Sequence, residues 1–183
     1  MDKITQTNFE DLRSDDRMIR YHAFMNIMET TEHPVDWAYQ VWNEMIANLK
    51  HKDNHVRAIA AQVLCNLAIS DPENKMLKDF EAILSVTRDE RFVTARHCLQ
   101  AIWKVGLAGA KQRKMTVAGL EGRYRECISE KNCTLIRYDI IKNLRNLYDK
   151  DQDEKVRKKA LELIGEEEDL KYHKKYASLW RDR

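Results

Sequence analysis

The sequence predicts an all-α protein in which helix pairs stack into an α-α superhelix, also called an α-solenoid. The chain of 183 residues has only five glycines and two prolines, and it is 43% hydrophobic and 34% charged. Sheet proteins need more turn residues than this, so the composition favours helices joined by short loops. In addition, one helical pattern recurs along the chain, as expected where each pair buries its apolar face only against its neighbours.

The recurring pattern occupies five segments, at 19–27, 56–64, 91–99, 136–144 and 156–164. In each segment, an Arg or Phe is followed three positions later by Ala or Ile, and seven positions later by Leu or Ile. Small and aliphatic residues at this spacing lie along one face of a helix. The first positions of the pattern are 37, 35, 45 and 20 residues apart; they are Arg20, Arg57, Phe92, Arg137 and Arg157.

Helix-start signals accompany these segments. Asp16, Asp53 and Asp153 stand four residues before the Arg, and Asp89 stands three residues before Phe92. An aspartate there can cap the first free N–H groups and interacts favourably with the positive end of the helix dipole.

Amphipathic segments at 35–49, 73–86 and 111–128 lie between the repeated ones, which gives two helices per period. The sequence therefore predicts a single domain over 1–183. Its expected parts are an N-terminal unit at 1–30, helix pairs at 35–70, 72–106 and 110–148, and a C-terminal cap at 149–183.

Two stretches resemble HEAT repeats: MIANLKHKDNHVRAIAAQVLCNLA (45–68) and IIKNLRNLYDKDQDEKVRKKALELI (140–164). The resemblance implies a right-handed solenoid of about four helix pairs, whose second helices line a concave side. It also implies a ladder in which the Arg of one unit bonds to the cap Asp of the next. The polar residues expected on the concave side are Gln62, Asn66, His97, Lys104, Asp139 and Lys142.

The helix at 91–105 contributes most of the candidate binding residues. At 100° per residue, Arg96, Gln100 and Trp103 form a stripe beside the apolar face, while His97 and Lys104 share the polar face. Arg beside Trp offers charge, stacking and a fork of donors to a ligand. Together with Gln62, Asn66 and Lys142, these residues form the predicted binding set.

The favoured function is a non-enzymatic binding or scaffold module that grips a protein or peptide along the concave side. His97 and Cys98 diverge by about 100° on their helix, which makes them a poor nucleophile–base pair. No cofactor is expected. No metal is expected either, because His51 and His55 flank Asp53, a predicted helix cap, and so do not share one helix face.

The alternative is nucleic-acid binding. Residues 104–148 contain ten basic and four acidic residues, a net charge of +6 in a chain whose total is +2. Clustered basic residues suit phosphate. The segment is similar in this respect to DNA alkylation-repair glycosylases of HEAT-like fold, and that resemblance implies an acidic catalyst with nearby aromatics. Asp139, beside Tyr138, would be that residue.

A cytoplasmic protein with no membrane partner is expected. No apolar run approaches the roughly 18–20 residues of a membrane span, and the start MDKITQTNFEDL lacks the basic-then-apolar order of a secretion signal. Cys65 and Cys98 fall inside apolar helical patterns, which predicts free, buried thiols rather than disulfides.

Overall fold

The computed structural model describes residues 1–181, which form ten α-helices and contain no β-strand. The helices are α1 (Lys3–Asp11), α2 (Arg17–Thr30), α3 (Ala38–Asn48), α4 (Asn54–Leu67), α5 (Met76–Val86), α6 (Phe92–Ala101), α7 (Ala110–Glu126), α8 (Cys133–Asp151), α9 (Glu154–Gly165) and α10 (Leu170–Ala177). Short 3-10 segments follow four of them, at Ala68–Ser70, Ile102–Ala108, Cys127–Ser129 and Ser178–Trp180. Within the described chain, none of the helices is both long and apolar enough to cross a membrane.

The helices pack in two layers. Consecutive helices pair as α1 with α2, α3 with α4, α5 with α6, α7 with α8, and α9 with α10. In what we call the second layer, α2, α4, α6, α8 and α10 each contact the next; α3, α5, α7 and α9 do the same in the first layer. This arrangement confirms the predicted all-α, solenoid-like fold.

Each end of the stack carries a helix pair, α1 with α2 at the N-terminal end and α9 with α10 at the C-terminal end. Arg157 lies on α9, in the first layer, whereas Arg20, Arg57 and Arg137 lie on second-layer helices. The last spacing of 20 residues therefore connects two helices of different layers, because α9 directly follows α8.

Packing explains the recurring pattern. Its small and aliphatic positions are all buried, including Ala23 and Ala95. Most of them belong to one continuous core that runs through the stack: Ile27, Ala60, Leu64, Leu99, Ile140, Leu144, Ala160 and Ile164. The predicted caps hold at Asp16, Asp53 and Asp153, whose carboxylates accept bonds from backbone N–H groups of the first helical turn. Asp89 accepts from Arg91 N instead, and α6 begins one residue later, at Phe92.

The predicted ladder forms at one place. Arg57 donates to both carboxylate oxygens of Asp89, with Nε–Oδ2 at 2.6 Å and Nη2–Oδ1 at 2.9 Å. Arg137 makes a comparable contact to the next turn, but with Glu167 at 2.9 Å. At Arg20 and Arg157 the prediction was wrong: Arg20 donates to backbone carbonyls of its own turn, and Arg157 pairs with Glu154 on its own helix.

The 3-10 segment Ile102–Ala108 is seven residues long, whereas runs beyond three or four residues are uncommon. Two glycines allow this path. A Cβ atom on Gly106 would lie 2.9 Å from Cδ2 of Leu147, so a glycine lets this segment approach α8. Gly109 ends the segment at φ 154°, a conformation that other residues rarely adopt. The segment packs against α7, α8 and α4.

Candidate binding site at the ends of the second-layer helices

A pocket of about 430 Å³ lies where the C-terminal ends of α2, α4 and α8 meet the 3-10 segment after α6. Three of the predicted binding residues, Asn66, Trp103 and Lys104, line it together. The other lining residues are Thr31, Glu32, His33, Ile69, Leu107 and Lys150.

Lys104 is held at the pocket wall by a short chain of hydrogen bonds. Its Nζ atom donates to Oδ1 of Asn66 at 2.8 Å. The amide nitrogen of Asn66 in turn donates to Met28 O at 3.1 Å and to Oγ1 of Thr31 at 3.0 Å. Because Asn66 and Thr31 are buried, this chain fixes the ammonium group. An ammonium has three donors, so Lys104 keeps two for a ligand.

Charge at the pocket is positive. Among residues 1–181, no carboxylate lies within ion-pair distance of the Lys104 ammonium, although Glu32 is at the pocket edge. Lys150 and His33 are exposed at the same edge. Two ammonium groups thus face one carboxylate, an arrangement that favours an anionic group in the ligand.

Trp103 supplies the apolar wall. Its backbone N–H donates to Oδ1 of Asn143 on α8 at 3.1 Å, and its ring is half-buried. In a 3-10 helix, residues three apart eclipse, so Lys104 and Leu107 present a charge and an aliphatic group on the same side. The pocket therefore offers an aromatic and aliphatic surface beside an ammonium group.

Arg96 is not available to a ligand in the way that its sequence position indicated. Its Nε atom donates to Oδ2 of Asp139 at 2.8 Å, and its Nη2 atom donates to Oδ1 at 3.4 Å. The Asp139 carboxylate, through these bonds, raises the pKa of Arg96. Asp139 is itself buried, at 2% exposure, so the pair joins α6 to α8. A base approaching Asp139 would first have to displace the guanidinium of Arg96.

The remaining predicted residues are dispersed. Gln62 donates to Ala58 O on its own helix at 3.1 Å. His97 and Gln100 on α6, and Lys142 on α8, are exposed on the second layer and do not line the pocket. Sequence reasoning missed His33 and Lys150, which lie in or next to turns and carry no repeat signal.

The arginines of the basic segment are paired, four of the five with acidic residues that follow the segment. Five of its arginines form ion pairs: Arg113 with Asp151, Arg123 with Glu130, Arg125 with Glu166, Arg137 with Glu167, and Arg145 with Asp149. Five lysines of the segment make no such pair within the described residues, and they are spread over four elements: Lys104 in the 3-10 segment, Lys111 and Lys114 on α7, Lys131 in a turn, and Lys142 on α8. The net charge of +6 therefore does not form one phosphate-binding face.

A second pocket, of about 420 Å³, lies between the first two helix pairs, and its lining residues include His51, Asp53 and His55. Nδ1 of His51 accepts a bond from Asp53 N at 3.0 Å, while the Asp53 carboxylate caps α4. These bonds use the ring nitrogen and the carboxylate for turn structure. In the described part of the chain, no group of three or more His, Cys, Asp or Glu residues is arranged to hold a metal ion.

No protein-family model matches the chain, and no curated protein matches its sequence.

Proposed function

We propose that this protein is a non-enzymatic binding module of HEAT-like architecture, which recognises an acidic segment of a protein partner at the pocket beside Trp103 and Lys104. The observation that carries the proposal is the Lys104 ammonium group, fixed by buried Asn66 at the wall of a pocket and free of any carboxylate partner within residues 1–181. A charge held in place this way binds an anion without first losing side-chain entropy.

The pocket favours a peptide side chain over a larger cofactor. Its volume of about 430 Å³ is near the lower end of the range for small-molecule sites, and the pocket is partly open to solvent. Trp103 and Leu107 can cover the apolar part of a peptide, while Lys104 and Lys150 meet an Asp, Glu or phosphorylated side chain. The exposed residues His97, Gln100 and Lys142 extend the same layer toward α8.

Two features support HEAT-like architecture. Helix pairs stack in two layers, and Arg57 bonds to Asp89 in the next unit as the HEAT resemblance implies. The resemblance implies that the second layer is the concave side, and the pocket lies at the edge of that layer, at the C-terminal ends of α2, α4 and α8. We also propose a cytoplasmic location, which the four free cysteines support.

Nucleic-acid binding has weaker support. The arginines of residues 104–148 are paired, and Asp139 is covered by Arg96. Lys142 and Lys104 face the second layer, but two lysines supply few phosphate contacts. We therefore expect no duplex DNA binding even at about 50 mM salt, where phosphate contacts bind more tightly than at physiological salt.

A peptide-display selection tests the proposal. The full-length protein is used to select from a library of randomised short peptides, with Lys104→Ala and Trp103→Ala as test variants. Lys78→Ala is the matched control, since Lys78 is an exposed lysine on α5 in the first layer. We expect enriched peptides with an acidic residue beside an apolar one for the wild type and Lys78→Ala, and no such enrichment for the test variants. Enrichment that does not depend on Lys104, or tight duplex DNA binding in a parallel salt titration, would contradict the proposal.

A further inference from the structure

The turn between α7 and α8 brings two cysteines into contact. In the sequence CISEKNC, Cys127 opens the 3-10 turn after α7, and Cys133 is the first residue of α8. Their Sγ atoms lie 2.8 Å apart, and both thiols are free. A disulfide bond is about 2.0 Å long, so the two sulfurs would have to approach each other by only about 0.8 Å to bond.

An ion pair holds this turn closed. The guanidinium of Arg123, a residue 1% exposed, donates to both carboxylate oxygens of Glu130, at 2.6 and 2.8 Å. It also donates to Thr87 O at 3.1 Å, which ties the turn to the preceding helix pair. Because these bonds fix the residues between the two cysteines, the thiols are positioned for each other before any reaction.

The two thiols differ in access. Cys133 is half-exposed, whereas Cys127 is buried. Burial, and to a smaller extent the hydrogen bond to Cys133, raise the pKa of Cys127 to about 12. Cys65 and Cys98 are fully buried, and burial raises the pKa of Cys65 to about 12 as well. An oxidant in solution therefore reaches Cys133 first.

We propose that Cys127 and Cys133 form a redox modification site, at which a peroxide converts the two thiols into a reversible intramolecular disulfide. Cys133 reacts with the peroxide, and Cys127 resolves the product. The site is separate from the pocket beside Trp103 and does not depend on the proposed binding function.

The chemistry balances in two steps. The Cys133 thiol loses its proton, and the thiolate attacks one peroxide oxygen, so that an S–O bond forms and the O–O bond breaks. The sulfur is oxidised to sulfenic acid, and the leaving hydroxide or alkoxide takes up that proton to become water or an alcohol. The Cys127 sulfur then attacks the Cys133 sulfur, so that the S–S bond forms and the S–O bond breaks. The hydroxide that leaves takes the Cys127 proton and departs as water. A small dithiol reverses the reaction by exchange.

Trypsin makes the test direct, because Lys131 lies between the two cysteines. The full-length protein is treated with graded hydrogen peroxide, and free thiols are blocked with iodoacetamide under denaturing conditions. Digestion releases ECISEK (126–131) and NCTLIR (132–137) as separate peptides unless a disulfide joins them. We expect a joined pair whose mass is lower by two hydrogen atoms than that of the two reduced peptides, and which dithiothreitol separates. Cys65 and Cys98 serve as internal controls and are expected to remain alkylated.

Two variants separate the roles of the thiols. In Cys127→Ser, Cys133 is expected to stop at sulfenic acid, which dimedone traps; in Cys133→Ser, Cys127 is expected to stay unoxidised. The result is read only in protein whose circular dichroism spectrum is unchanged by peroxide. The proposal is overturned if Cys127 is still a free thiol, and therefore alkylated, while Cys133 is unreacted, over-oxidised or bonded to a second chain. Equal oxidation of Cys65 or Cys98 at the same peroxide dose would also overturn it.

Discussion

Replacing Arg57 with alanine removes the contact that joins the second and third helix pairs most specifically. The guanidinium of Arg57 makes four hydrogen bonds: two to Asp89, one to His51 O at 2.8 Å and one to Lys52 O at 3.1 Å. The side chains of Arg57 and Asp89 are 13% and 6% exposed. In Arg57→Ala, the Asp89 carboxylate loses its ionic partner while it remains largely buried, and keeps only its bond from Arg91 N.

The magnitude follows from this burial. Removal of one partner from a buried ion pair costs about 3–5 kcal/mol, and the remaining bond and partial exposure of Asp89 reduce this to about 2–3 kcal/mol. For a chain of this length, each kcal/mol lowers Tm by roughly 2–4 °C, so Arg57→Ala should lower it by about 4–12 °C. Arg157→Ala is the matched control, because Arg157 has the same place in the repeat pattern but an exposed partner on its own helix. It should change stability by no more than about 0.5 kcal/mol.

The effect should also depend on pH. The Arg57 guanidinium holds the pKa of Asp89 below its usual value. Since the folded pKa is lower than the unfolded one, the stabilisation is complete above about pH 4 and disappears as the pH falls through the folded pKa of Asp89. Urea unfolding at pH 7 and pH 3 measures this, and the difference between wild type and Arg57→Ala should shrink at the lower pH. Equal losses for Arg57→Ala and Arg157→Ala, or a difference that grows in acid, would refute the reasoning.

Two further substitution pairs test the packing of the layers by urea unfolding. Asn143→Ala removes buried hydrogen bonds between α8 and the segment that begins with α6, and should lower the free energy of unfolding by about 1–3 kcal/mol. Asn146 is half-buried on the same helix, and Asn146→Ala should change that free energy by no more than about 0.5 kcal/mol. Gly119→Ala places a Cβ atom 2.8 Å from Cε1 of buried Phe80 and should lower the free energy of unfolding by about 1–3 kcal/mol. Gly122 has open space around it, so Gly122→Ala should raise the free energy of unfolding by about 0.5–1 kcal/mol. Similar values within either pair would contradict the described packing.

The sequence predicted the features that depend on local periodicity. The caps at Asp16, Asp53 and Asp153, and the buried positions around Ala60 and Leu64, follow from residues within one helix turn or one helix face. Such signals are visible without knowing where the neighbouring helix lies. For this reason the helices and the two-helix period could be predicted.

The binding site could not be predicted in the same way, because it is formed by contacts between residues that are far apart in sequence. Lys104 and Asn66 are 38 residues apart, and their bond depends on the unusual 3-10 path of residues 102–108. Arg96 was predicted as a ligand-binding side chain because its helix face is known from spacing, whereas its partner Asp139 comes from another helix pair. The contact of Cys127 with Cys133 was missed because five residues of turn lie between them, a spacing that fits no common motif.

Calorimetric titration of one display-selected acidic peptide tests the proposed binding site most directly. A charged hydrogen bond contributes about 1.5–3 kcal/mol, so Lys104→Ala should raise the Kd of the peptide by about 10- to 100-fold, while Lys78→Ala should leave it unchanged. Neutralising the acidic residue of the peptide should weaken binding to the wild type by a similar factor and have little effect on Lys104→Ala. Equal affinities of wild type and Lys104→Ala would contradict the assignment of this pocket as the binding site.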